Sequence, residues 1–128
     1  MRISIDFDGT MWSHMGFFRE FMRAMQSAGH QVGVLTGHSA STAEADIRLM
    51  IARGFPRPDF YLGRTTEYLP FNGAKFKLDM IRLHGIDYHF DDFDYDNPET
   101  TRLFDEVADI RHRIVKVRWR EPHSTHYE

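Results

Sequence analysis

Short apolar runs alternate with stretches of helical periodicity four times along the 128-residue chain, and a fifth apolar run closes the series. The apolar runs lie at residues 2–7 (RISIDF), 31–36 (QVGVLT), 59–63 (DFYLG), 86–92 (IDYHFDD) and 113–119 (RIVKVRW). Between the first two, Phe18, Phe21, Met22 and Met25 recur at helical spacing within 15–28, and Gly29 supplies the stop. Ser41 and Glu44 fit a capping box that opens a second helix through Ile47, Met50 and Ile51, ended by Gly54. The Phe55-Pro56-Arg57-Pro58 stretch reads as a turn. Asn72-Gly73 leads into a third helix with Phe76, Met80 and Leu83 on one face, ended by Gly85. Asn97-Pro98-Glu99 reads as N-cap, first-turn proline and first-turn acid, with Leu103, Val107 and Ile110 behind it at i, i+4 and i+7.

Strand–helix alternation of this kind predicts an α/β fold, a Rossmann-like three-layer sandwich around a central, mostly parallel five-stranded sheet. Residues 1–120 make the expected core domain and 121–128 a polar tail. The hydrophobic share of 41% is enough for one core. With 16 basic and 19 acidic residues the formal charge is −3, which gives no general pull toward nucleic acid or an anionic membrane. The absence of cysteine excludes disulfides, thiolate catalysis and zinc–thiolate sites. No apolar run approaches the ~20 residues that span a bilayer. The chain begins directly with MRISIDF, without a signal-peptide pattern, so a cytoplasmic location is expected.

In parallel sheets ligands bind at the carboxyl ends of the strands, and here those ends collect reactive groups. The first run ends in Asp6 and Asp8, the second in Thr36-Gly37, and the fourth in Asp91-Asp92, with Asp94 and Asp96 close behind. Lys75 and Lys77 start the third helix, which faces the same rim. Carboxylates this close repel unless something cationic joins them. The set suits phosphoryl transfer to an aspartate. A carboxylate oxygen attacks phosphorus, Mg²⁺ takes oxygen ligands and offsets the repulsion between anions, and an ammonium, a hydroxyl and amide groups hold the phosphoryl oxygens. A second carboxyl group protonates the leaving oxygen and then deprotonates water. Taken singly, each segment reads as an ordinary turn, strand end, solvated helix or acidic loop; the joint pattern carries the weight.

The DFDGT stretch, the following VLTG, a downstream lysine and an acidic pair after an apolar strand resemble the haloacid dehalogenase-like superfamily over essentially the whole chain. The resemblance implies a Mg²⁺-dependent phosphoester hydrolase working through a phospho-aspartate. It assigns Asp6 as nucleophile and metal ligand, and Asp8 as general acid/base whose backbone carbonyl also meets the metal. Thr36 and Gly37 become phosphate-binding groups, and Lys75 the cation beside the phosphoryl group. Asp92 is the metal-ligating acid, with Asp91 the other member of the pair. Lys77 competes with Lys75, which is favoured because it follows Gly73 sooner; Asp96 is an alternative to the pair. An aspartate at the position of Asp8 is typical of phosphatases in that family, which sets dehalogenation aside.

Only 27 residues separate Asp8 from Thr36, and the Thr36–Lys75 interval holds a helix, a strand and a loop, so no cap domain is expected. By family analogy, an open site accepts bulky substrates or borrows a lid from a partner. Nucleotides, polynucleotide ends and small phosphoesters are the candidate substrates, although net charge gives nucleic-acid ends no support. Residues 63–72 (GRTTEYLPFN) and 11–15 (MWSHM) are candidate substrate-facing loops, with His14 a candidate contact. His123 and His126 fall in the tail. Lys116, Arg118 and Arg120 alternate along the last run and read as charges guarding an edge strand. A non-catalytic phosphate- and Mg²⁺-binding module is the alternative function. A signalling receiver domain is disfavoured, because the third run ends in YLGR without an aspartate to phosphorylate.

Overall fold

Each apolar run contributes a strand in the computed structural model, which describes residues 1–93 and 96–118. The strands are β1 (Arg2–Ile5), β2 (Gln31–Ser39), β3 (Tyr61–Arg64), β4 (Tyr88–Asp91) and β5 (Ile114–Lys116). The helices are α1 (Met15–Ser27), α2 (Ala43–Ala52), α3 (Gly73–Leu83) and α4 (Pro98–Glu106). The sheet order is β3-β2-β1-β4-β5 and every pairing is parallel. This is the expected α/β Rossmann-like sandwich. The chain steps outward from β1 to β3, then crosses back to β4 on the other side of β1. The reversal point lies between β1 and β4, where a crevice opens at the carboxyl ends of such sheets.

Two apolar cores sandwich the sheet. Ile3, Ile5 and Phe7 alternate onto one face and pack with Phe18 and Met22 of α1 and Met50 of α2. The other face packs Leu35 against Phe76, Leu78 and Ile81 of α3 and Leu103 and Phe104 of α4. Ser4 and His89 are both fully buried and lie opposite each other in the β1–β4 pairing. No helix among the described residues is long and apolar enough to cross a membrane.

The structure corrects several boundaries. β2 runs past Thr36 to Ser39, with an irregularity between Leu35 and Ser39 in its pairing with β3. Ser41 is not the α2 N-cap: Ser39 Oγ accepts from the Ser41 amide, a short 3-10 turn covers Ala40–Thr42, and α2 follows. Leu83 is 72% exposed, and α3 instead buries Ala74, Phe76, Leu78 and Ile81. α4 stops at Glu106, and Val107 and Ile110 are buried in the turns beyond it. Asn97 caps α4 as expected, accepting from the Glu99 amide (2.9 Å), and Asn72 caps α3, accepting from the Ala74 amide (2.7 Å). Asp94, Trp119, Arg120 and the tail over 121–128, with His123 and His126, lie outside the described residues.

Candidate active site

The segment after β1 is shaped by backbone bonds. The Asp6 amide donates to the Phe90 carbonyl at 2.9 Å, tying the end of β1 to β4, and the Met11 amide returns to the Asp6 carbonyl at 3.1 Å. Inside this wide turn Asp8 is extended and Gly9 has φ +74°, a conformation that favours glycine. Phe7, Met11 and Trp12 are anchored in the core. The turn therefore holds Asp6 at the floor of the crevice, 5% exposed, and Asp8 at its wall, its side chain 56% exposed.

Asp6, Asp91 and Asp92 each offer a carboxylate oxygen, and these oxygens lie within 4.8 Å of one another. Lys77, from α3, bridges two of them: Nζ is 2.9 Å from Asp6 Oδ1 and 2.8 Å from Asp91 Oδ2. The ammonium also lies 5.2 Å from the centre of the Phe93 ring. Thr10 Oγ1 donates to Asp92 Oδ1 at 3.4 Å. An open cleft of about 460 Å³ is lined by Asp91, Asp92 and Lys77 of this group, with Asp8, Gly37 and Asn72 beside them.

The electrostatics show a site short of positive charge. Burial, then the neighbouring Asp91, push the Asp6 carboxyl well above its ordinary value, and Lys77 only partly offsets them. Burial acts against the charge on Asp91 too, but Lys77 and His89 outweigh it and hold the group below its ordinary value. Burial likewise opposes the Lys77 charge, and Asp91 and Asp6 overcome it, so the ammonium is held on. A further cation among the three carboxylates would relieve the repulsion that keeps Asp6 high.

Two histidines support this cluster. Beneath it, His89 Nε2 lies 2.7 Å from Asp91 Oδ2, and His89 Nδ1 lies 2.7 Å from Ser4 Oγ. Burial, aided by Lys77, lowers the His89 value against the pull of Asp91. The ring is therefore neutral: Nε2–H donates to Asp91 and Nδ1 accepts from Ser4. At the rim, His38 Nε2 lies 2.7 Å from Asp8 Oδ2, and His38 Nδ1 lies 3.1 Å from Asp46 Oδ2. The bond to Asp8 lifts His38 to about 9 against the effect of burial, with Asp46 adding to the lift. Asp46 also accepts from Thr42 Oγ1 at 3.0 Å and from the Tyr61 hydroxyl.

Of the residues expected from sequence, Asp6, Asp91 and Asp92 converge, and Asp8 and Gly37 line the same cleft. Thr36 is buried, its Oγ1 accepting from the His38 amide at 3.1 Å. Lys75 is the misplacement: its Nζ turns away to Asp79 at 3.1 Å, and Lys77 occupies the position between the carboxylates. The spacing held the clue. Lys75 and Asp79 form an i,i+4 pair on the outer face, whereas Lys77 follows Ala74 by three and precedes Ile81 by four, on the buried face. Asp96 is exposed and stands outside the three-carboxylate cluster. The 11–15 loop is mostly core rather than substrate-facing, since Met11, Trp12 and Met15 are buried. His14 meets the Arg118 carbonyl at 3.0 Å. Within 63–72, Asn72 reaches the cleft, while Arg64 braces the loop through the carbonyls of Tyr68 and Phe71. His38, Asp46, Tyr61, Ser4 and His89 went unread in the sequence; only the period-two spacing of His89 and Asp91 hinted at a shared face.

Comparison with protein-family models, with curated proteins and with solved structures finds no match. The chemistry of the cleft is therefore carried by its own geometry.

Proposed function

We propose that the protein is a Mg²⁺-dependent phosphoester hydrolase of the haloacid dehalogenase-like type, with Asp6 as nucleophile. The observation that carries this reading is the convergence of three carboxylate oxygens within 4.8 Å, from segments about 85 residues apart in sequence, beside a bridging ammonium in an open cleft. An all-oxygen anionic donor set fits a hard divalent cation. Asp6, Asp91 and Asp92 would hold it, and when bound it supplies charge neutralisation for an incoming phosphate.

In the first step an Asp6 carboxylate oxygen bonds to phosphorus and the phosphorus–ester oxygen bond breaks. Asp8, protonated at that moment, gives its proton to the leaving oxygen. In the second step water attacks the phospho-aspartate, Asp8 takes the water proton, and inorganic phosphate departs with Asp6 restored. Lys77 compensates charge on the phosphoryl oxygens, and Gly37 lines the wall beside them. Substrates are nucleotides, small phosphoesters or polynucleotide ends.

The test is a phosphoester panel assayed with Mg²⁺, with EDTA, and with Asp6→Asn. Turnover that requires Mg²⁺ and vanishes in Asp6→Asn is expected. Absence of Mg²⁺-dependent turnover across the panel would overturn the reading, and phosphate binding without product would leave the non-catalytic module in its place.

A further inference from the structure

Asp8 is far more exposed than Asp6 or Asp91, and a carboxylate open to water samples several rotamers. This one is held. His38 Nε2 lies 2.7 Å from Asp8 Oδ2, and the opposite ring nitrogen lies 3.1 Å from Asp46 Oδ2. Asp46 is fixed from two sides, by Thr42 and by the Tyr61 hydroxyl. The edge-to-face contact of the His38 ring with Phe7, 5.3 Å between centres at 89°, fixes its plane. The clamp therefore joins the end of β2, the first turns of α2, the start of β3 and the loop that carries Asp8.

While both carboxyl groups are ionised, the two bonds form together only when both ring nitrogens donate. The His38–Asp8 contact lies at the rim, where the Asp8 side chain is 56% exposed and an ion pair adds little to stability, about 0–1 kcal/mol. Orientation is another matter, since acid/base transfer requires the carboxyl group within hydrogen-bond reach of the moving proton.

We propose that His38, clamped by Asp46, is a positioning residue that fixes the Asp8 carboxyl group in the orientation from which its protonated form gives a proton to the leaving group. This rests on the hydrolase reading above. The signature is selectivity for leaving groups: an alkoxide needs the proton from Asp8, whereas a nitrophenolate departs without it.

The experiment measures kcat and KM for an alkyl phosphate and for p-nitrophenyl phosphate in wild type, His38→Ala, His38→Gln and Asp46→Asn. A loss of about tenfold or more in kcat/KM, which reports the step in which the leaving group departs, is expected for the alkyl phosphate in His38→Ala, against less than about threefold for the aryl ester, since misplacement by ~1 Å costs on the order of a hundredfold. Asp46→Asn should follow the same pattern, and His38→Gln, which keeps one N–H donor, should recover part of the loss. Equal losses in kcat/KM on both substrates would overturn the proposal. A second measurement needs no turnover: the Asp8 carboxyl ¹³C resonance should move in both His38→Ala and Asp46→Asn. If Asp46→Asn leaves it in place, the clamp is refuted whether or not the protein hydrolyses anything. If wild type turns nothing over while the resonance responds, the hydrolase reading falls and the clamp stands.

Discussion

The chain sets a histidine against an aspartate twice, at the floor of the cleft and at its rim, and the two pairs come out in opposite charge states. His89 is fully buried, with one carboxylate, one hydroxyl and the Lys77 ammonium around it, and burial wins: the ring is neutral. His38 is partly exposed between two carboxylates, and the partners win: the ring is held protonated to about 9. A histidine's charge is thus set by the balance between lost hydration and the number of anions facing it. The floor pair is part of the framework that presents Asp91, whereas the rim pair is a surface contact with a small share in folding.

Mutating each pair gives the largest contrast. His89→Ala removes a buried ring and strips a donor from Asp91 and an acceptor from Ser4, so a loss of about 3 kcal/mol is expected in urea unfolding. His38→Ala should cost about 0.5 kcal/mol. Similar losses would erase the distinction between floor and rim. Metal addition comes next. Mg²⁺ at a hundred times its Kd should stabilise the fold by about 2.7 kcal/mol. That gain should survive in His38→Ala and disappear in Asp91→Asn, as read by thermal unfolding. Ser4→Ala tests the lower end of the buried string and should cost about 1 kcal/mol.

The remaining contrast is in pH dependence, and its sign differs between the pairs. His38 rises from 6.5 to about 9 on folding, so the folded state binds the extra proton. Its contribution is complete below about 6.5 and is lost as pH climbs through about 9. His89 falls below 6.5, so the unfolded state binds more protons and stability drops as pH falls below that point. His38→Asn should flatten the alkaline limb of the stability profile and leave the acid limb. His89→Gln should flatten only the acid limb. A single variant that altered both limbs equally would contradict the separate assignments.

The contrast between floor and rim also explains what could be read from sequence. Strands and helices follow from local periodicity, and β1, β2 and β4 were recognisable because parallel strands buried on both faces are nearly continuous apolar runs. The carboxylates Asp6, Asp91 and Asp92 were legible because each ends such a run. Lys77 stands second to Lys75 when closeness to Gly73 is the guide, whereas helical phase favours it, since Ala74, Leu78 and Ile81 mark its side as the buried one. The rim string was illegible for another reason. His38, Asp46 and Tyr61 stand on three different elements, and their meeting depends on how α2 settles over β2 and β3. The overrun of β2 past Thr36, which sets where His38 stands, is a tertiary outcome with no local signal.

The Ser4–His89 bond has a consequence for assembly. β1 and β4 are joined across 85 positions of chain, and sliding one past the other by one place would turn every side chain of that strand to the opposite face. Such a slip would set Ser4 against Tyr88 or Phe90 and strand a buried imidazole among hydrocarbon. One polar rung thereby adds to the apolar alternation in selecting the register, and in that alignment Asp6 arrives beside Asp91.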